Sequence, residues 1–139
     1  REKGYRLALK AHGIAFDPSL VVRGEFNRDE ARLALEQLLL EGVEFDAIFT
    51  GDDDSAVGVM LGLRQAGRRV PEDVAVVGFD DSIFTQTLVP PLTTVHAPTE
   101  LVGREAVRQL IHIIRGESVE PRLVLPTVLV IRRSCGCQA

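Results

Sequence analysis

The chain has 139 residues, of which 45% are hydrophobic and 26% charged, and its formal net charge is −4 at pH 7. That is one domain's worth of chain with enough apolar side chains for a packed core, which excludes an intrinsically disordered segment. The acidic balance argues against this chain itself gripping nucleic acid, which calls for a basic patch, and no apolar run approaches the roughly 20 residues needed to span a bilayer.

The first predicted element is a helix from Arg1 to about residue 12, with Tyr5, Leu7, Ala8 and Ala11 on helical spacing and Gly13 at its C-terminal stop. No capping residue precedes Arg1, no initiator Met opens the chain and no signal peptide is visible, so the sequence is expected to be cut from a longer protein. Pro18 marks a turn, and Leu20-Val21-Val22 leads a short predicted strand ending near Phe26. Asn27-Arg28-Asp29-Glu30 sets an N-cap residue three positions before a Glu, the pattern of a capping box. Ala31, Ala34, Leu35, Leu38 and Leu39 form the buried stripe of the helix that follows, and Gly42 ends it.

Ala47-Ile48-Phe49-Thr50 is the next predicted strand. It runs into Gly51-Asp52-Asp53-Asp54-Ser55 and then a helix carrying Val57, Met60, Leu61 and Leu63, closed by Gly67. Val74 to Phe79 is a continuous apolar run, as expected of a strand buried in a parallel sheet, and it ends on Asp80 and Asp81. Thr93-Thr94-Val95 reads as a short extended piece, and Pro98 suits the first turn of a helix. Leu101, Val102, Ala106, Val107, Leu110, Ile111 and Ile114 give that helix a wide apolar face, and Gly116 stops it. Leu123 to Ile131 makes a final strand, which Pro126 assigns to an edge or a bend. Strand and helix alternate, so the predicted fold is α/β, a three-layer sandwich on a mostly parallel sheet.

Open α/β sheets bind ligands just outside the carboxyl ends of their strands. Asp52, Asp53 and Asp54 after one strand and Asp80 and Asp81 after another therefore mark the candidate cleft. Three readings compete. The carboxylates could cap helices and turns by accepting orphan backbone N–H groups; Asp53 and Asp81 fit this as well as they fit a ligand. They could hold Mg²⁺ for phosphoryl transfer, but no Gly-rich phosphate loop accompanies them. They could accept hydrogen bonds from ligand hydroxyls or amines, which suits a sugar sensor.

Catalytic groups, metals and cofactors are not expected. Ser55, Ser82 and Ser134 lack the G-x-S-x-G elbow. His12 and His112 have no partner at metal-ligand spacing, and His96 reads as a half-buried, satisfied histidine. The two cysteines, Cys135 and Cys137, form neither a disulfide framework nor a four-ligand zinc site and read as a solvated, reduced tail.

The run Val70-Pro71-Glu72-Asp73-Val74-Ala75-Val76-Val77-Gly78-Phe79-Asp80-Asp81, followed by Pro90-Pro91-Leu92-Thr93-Thr94-Val95, resembles the signature of the LacI/GalR family of bacterial transcriptional regulators. The likeness lies in their ligand-sensing domain, which is similar to the type I periplasmic sugar-binding proteins, and it extends from Arg1 to Cys135. It implies ligand-binding roles for four residues. Asp80 matches the Asp after the Gly-aromatic pair, and Arg1 the Arg three residues before Gly4-Tyr5. Asp52 stands where Asn is common, so a group that only accepts replaces one that also donates. Asp54 matches a variable pocket-lining position. Asp53 matches the nearly fixed Asp of that loop and, with Asp81, is expected to shape the cleft. Ala97 stands where a polar residue is common. Leu61 and Leu88 match positions at a homodimer interface.

The resemblance further implies that residues 1–139 are the C-terminal portion of an effector-binding domain. The N-terminal lobe and a helix-turn-helix would lie upstream, with the stretch from Thr94 to Ile114 belonging to that lobe. A small molecule, a sugar or polyol, would close the lobes and shift affinity for operator DNA in a cytoplasmic dimer with no membrane partner. Asp52 and Asp80 favour a hydroxyl-rich or cationic ligand over an anion. Two rivals share the fold: an extracytoplasmic sugar-binding protein serving a transporter, and a sensor fused to a signalling output domain. An enzyme stands last.

Overall fold

The computed structural model describes residues 1–137. In chain order its elements are α1 (Glu2–Ala11), α2 (Arg28–Leu40), β1 (Ala47–Phe49), α3 (Asp53–Gln65), β2 (Ala75–Val77), β3 (Thr94–His96), α4 (Thr99–Ile114) and β4 (Val128–Val130). Single 3-10 turns fall at Pro18–Leu20 and Ile83–Gln86.

Local signals set most of the helix ends. The Asn27 carboxamide accepts from the N–H groups of Asp29 and Glu30 and so starts α2. The expected capping box is not completed, because the Asn27 N–H is already given to the Gly24 carbonyl. At the other end Gly42 takes φ +71°, while its N–H bonds to Leu39 and the Val43 N–H to Leu38. This is the reversed-chain stop that favours glycine. Gly67 ends α3 in the same way, with Gly67 bonded to Arg64 and Arg68 to Leu63.

β1 and β2 pair in parallel with Ala47 opposite Ala75 and Phe49 opposite Val77, and α3 makes the crossover between them. A parallel bridge from Val77 to Thr93 carries the sheet on to β3, which pairs antiparallel with β4. The core is Ala31 and Leu35 of α2, Ala56, Val59 and Leu63 of α3, and Val74, Val76 and Leu92 beneath them. The α/β class expected from the alternating pattern is the one observed.

Three expectations need correcting. The final strand, expected from Leu123 to Ile131, is a ladder strand only at Val128–Val130. Residues 21–26 form no strand: they find no ladder partner among the described residues, and Val22 stays 48% exposed. The segment leading into Cys135 is not a solvated tail either, although Cys137 itself is exposed. Ser134 is fully buried; its hydroxyl donates to the Val76 carbonyl at 2.6 Å and accepts the Thr93 N–H at 2.8 Å, and its own carbonyl accepts the Val76 N–H. The terminal segment is thereby laced to β2 and to the start of β3. α4 stands apart, with no buried residue and with Val102, Val107, Leu110, Ile111, Ile113 and Ile114 all exposed.

α2 and α3 approach closely at Gly58. An Ala in mid-helix ordinarily stabilises by about 1 kcal/mol relative to Gly. Here a Cβ would stand 2.0 Å from the Arg28 carbonyl oxygen and 3.2 Å from the Arg28 Cα. Backbone atoms at the start of α2 cannot swing aside, so the clash outweighs the propensity. Gly58→Ala is expected to lower stability by about 2 kcal/mol, seen as a lower urea midpoint with an unchanged slope.

Candidate functional site

β1 and β2 end side by side, so the residues that follow each strand crowd together at one end of the sheet. The Thr50 N–H bonds to the Val77 carbonyl at 2.9 Å and keeps the two loops in step. The five aspartates meet there and then divide by task.

Asp52 is the N-cap of α3, with Oδ1 accepting the Ser55 N–H at 2.9 Å. Asp53, in the first turn, is 1% exposed. One of its oxygens accepts the Ser82 N–H at 2.7 Å and the other the Thr94 hydroxyl at 2.6 Å. A Cβ at position 78 would fall 2.3 Å from Asp53 Oδ1, so glycine there leaves room for this carboxylate at the end of β2. Asp81 accepts from Arg132 at 2.7 Å with one oxygen, and its other oxygen lies 3.1 Å from His96 Nδ1. The same Arg132 guanidinium donates to the Thr85 hydroxyl and the Leu92 carbonyl. Asp54 turns away from the group and pairs with Arg28 at 2.6 Å, across the α2–α3 packing.

Asp80 is the aspartate left open. Its carboxylate accepts no hydrogen bond from the described residues, and its only salt-bridge partner among them is Arg1, at 3.7 Å. The Arg1 guanidinium lies over the Phe79 ring, 4.2 Å from the centroid, and 5.4 Å from that of Phe26. Burial pushes the Asp80 carboxyl above its ordinary range; Arg1 opposes this, while Asp53 and Asp52 add to it. The Phe26 ring in turn rests against Gly51, one residue before Asp52. Arg1, Phe26, Asp52, Phe79 and Asp80 thus form one cluster of a cation, two aromatic rings and two carboxylates.

The backbone around this cluster is unusual. Glu25 and Phe26 take φ of +48° and +52°, and Asp80 and Asp81 take +114° and +61°. Side-chain-bearing residues held there cost on the order of 1–3 kcal/mol each and concentrate at ligand sites. Both strained pairs contribute a residue to the cluster.

Phe26, Phe79 and Arg132 were not among the sequence-derived candidates. Phe79 had a signal, since it stands between Gly78 and Asp80 at a strand end. Arg132 had none, because it lies beyond the last strand and only the fold carries it to Asp81. Phe26 had none, because only the fold carries it to Gly51. Leu61 sits on the outer side of α3 with 36% exposure, and Leu88 packs against the core cluster. Two shallow cavities lie elsewhere, about 490 Å³ beside α1 and about 320 Å³ beside α4, and neither is lined by Arg1, Asp52 or Asp80. Among the described residues no three His, Cys, Asp or Glu side chains are placed to hold a metal ion, and no helix is long and apolar enough to cross a membrane.

A known family, the periplasmic binding protein-like domain, matches residues 1–135. The chain belongs to that family. The resemblance to LacI-type regulators holds as well. The chain is 47% identical over 135 residues to the HTH-type transcriptional regulator CelR of Thermobifida fusca, covering 96% of this chain and 40% of CelR. It superposes on the solved CelR–cellobiose complex with a TM-score of 0.90 at 48% identity, over 94% of this chain and 40% of that one. It also superposes on the Lac repressor dimer bound to operator and the anti-inducer ONPF, with a TM-score of 0.88 at 28% identity, over 97% of this chain and 40% of that one. The chain therefore spans 40% of the length of each of these proteins. The periplasmic binding protein-like fold that the family resemblance implies is the fold these relatives share.

Proposed function

We propose that residues 1–139 are the C-terminal portion of the effector-binding domain of a LacI-type transcriptional regulator, and that Arg1, Asp52 and Asp80, with Phe26 and Phe79, hold a neutral sugar. The observation that carries this reading is the open Asp80 carboxylate beside a guanidinium stacked on aromatic rings. Two carboxylates offer charge-assisted acceptors to hydroxyl groups, and the exposed Phe26 ring offers a flat apolar face to a sugar's C–H surface, beside the half-buried Phe79. Asp54, tied to Arg28, would line the rim, while Asp53 and Asp81 would hold its walls in place. The relative solved with cellobiose makes a β-linked glucose disaccharide the first effector to test.

The remainder of the reading concerns the whole protein. The unburied apolar face of α4 fits an element whose partner lobe lies in another part of the protein. Ligand would close the two lobes, repack a homodimer interface that includes Leu61 and Leu88, and change affinity for operator DNA held by a separate domain. The protein would then be a cytoplasmic regulator and not an enzyme.

The test is calorimetric titration of the intact protein with cellobiose, repeated on Asp80→Asn. Losing a charged acceptor is expected to weaken binding by tenfold or more, since hydrogen bonds to charged groups contribute about 1.5–3 kcal/mol. The unliganded protein should not suffer. Asp80 has a carboxyl raised in the folded state, so its ionisation favours the unfolded chain, and folded stability falls as pH rises from acid through that raised value towards neutrality. Asparagine removes that penalty and tolerates positive φ, so the melting temperature at pH 7 should hold or rise. Unchanged affinity in Asp80→Asn would sink the site. Tight binding of a sugar phosphate with no neutral sugar bound would sink the ligand class.

A further inference from the structure

Cys135 and Cys137 take no part in the carboxylate cluster, yet their surroundings are built. The segment before them is fixed by Ser134 and by the Arg132 N–H bond to the Thr93 hydroxyl at 2.8 Å. A tight turn follows, closed by the Gly136 N–H on the Arg133 carbonyl at 3.1 Å, with Gly136 at φ +76°. The turn brings the Cys137 N–H to 3.4 Å from Cys135 Sγ, while the Cys135 thiol donates to the Arg132 carbonyl at 3.6 Å. Cys135 is half-buried beside Thr93, and Cys137 is exposed.

The two thiols are unequal. Burial pushes the Cys135 thiol up, but hydrogen bonds from the Thr93 hydroxyl and from the Cys137 thiol and N–H outweigh it and leave Cys135 below its ordinary value. The Cys137 thiol is pushed up, first by its hydrogen bond to Cys135 and then by the charge on that sulfur. A half-buried cysteine whose sulfur accepts the N–H of an exposed cysteine two residues on is the arrangement of an attacking and a resolving thiol. Metal binding within one chain is the poorer use of the pair, because no third ligand stands near it among the described residues.

We propose that Cys135 and Cys137 are a reversible dithiol–disulfide pair, oxidised by a small-molecule disulfide such as glutathione disulfide. The Cys135 thiolate attacks one sulfur of that disulfide; its S–S bond breaks and one glutathione leaves as thiolate, taking up a proton. Cys137, giving up its proton, then attacks Cys135 Sγ. The internal S–S bond forms, the mixed disulfide breaks, and the second glutathione leaves. Two electrons pass from the two cysteines to the one disulfide, which becomes two thiols. An exposed disulfide of this kind is readily reduced, so it serves as a modification rather than a structural brace. It closes the turn one residue beyond Ser134, which ties β2 to β3.

The experiment exposes the intact native protein to glutathione disulfide, quenches in acid, alkylates free thiols and weighs the peptide that carries both cysteines. The expected product is unalkylated and lighter by two hydrogens, and dithiothreitol restores two alkylatable thiols. Cys137→Ser should instead accumulate glutathione on Cys135, and faster than Cys135→Ser accumulates it on Cys137. Three results would overturn the proposal: both cysteines still alkylated after exposure, separate glutathione adducts on both, or equal adduct rates in the two single variants.

Discussion

Asp53→Ala is expected to lower the unfolding free energy by about 4 kcal/mol, since a hydrogen bond to a charged group contributes about 1.5–3 kcal/mol and the carboxylate accepts two. The Ser82 N–H and the Thr94 hydroxyl lose their acceptor together. Thr94 is fully buried, so water does not replace the lost partner without opening the structure. The carboxylate also ties three separate pieces of chain, the start of α3, the loop at Ser82 and β3. Asp53→Asn separates charge from shape. Its carbonyl oxygen still accepts the Ser82 N–H, and the Thr94 hydroxyl rotates to accept from the new amide, so roughly half the loss is expected. Urea unfolding of the two variants measures both figures. A cost below about 1 kcal/mol for Asp53→Ala would remove Asp53 from this fastening role and return it to the ligand.

Arg132→Ala is the second large effect, expected at about 3 kcal/mol, because removing one member of a buried ion pair strands the other. The Arg132 and Asp81 side chains are 16% and 19% exposed, which places the figure at the low end for a buried pair. Arg132 serves three acceptors at once: Asp81, the Thr85 hydroxyl and the Leu92 carbonyl. Arg132→Lys keeps the charge but not the planar fork, and a single ammonium does not reach all three. It should recover less than half of the loss. A double-mutant cycle with Asp81→Ala isolates the pair, with an expected coupling of at least about 1 kcal/mol. Strict additivity would show that Arg132 acts through Thr85 and Leu92 alone.

These two residues show how far a sequence reading reaches into the site. Strand ends loaded with carboxylates were visible as text, and the sheet rule put all five aspartates at one edge. What each carboxylate does there depends on which donors arrive from elsewhere in the chain. Ser82, Thr94 and Arg132 come from segments 29, 41 and 51 positions away from their aspartate partners, and Arg28 reaches Asp54 across 26. Asp80 is singled out by subtraction, since among the described residues no hydrogen-bond donor reaches its carboxylate. Phe26 joins it only because Gly51, lacking a side chain, lets the ring settle beside Asp52. The strand expected before Phe26 failed for the converse reason. Its apolar run had the right composition, but a strand exists through a neighbouring strand's N–H and C=O groups, and among the described residues 21–26 bond only to nearby turns.

The sequence by itself determined what depends on nearby residues. The α/β alternation, the glycines that close the helices, the Asn27 cap and the extended Ala75–Val77 run all rest on steric and hydrogen-bonding preferences acting within a few positions. Tertiary structure decided what depends on long-range pairing. It ordered the strands, buried Ser134, sorted the five aspartates and left α4 uncovered, because each of these turns on which distant group supplies the donor, the acceptor or the apolar surface.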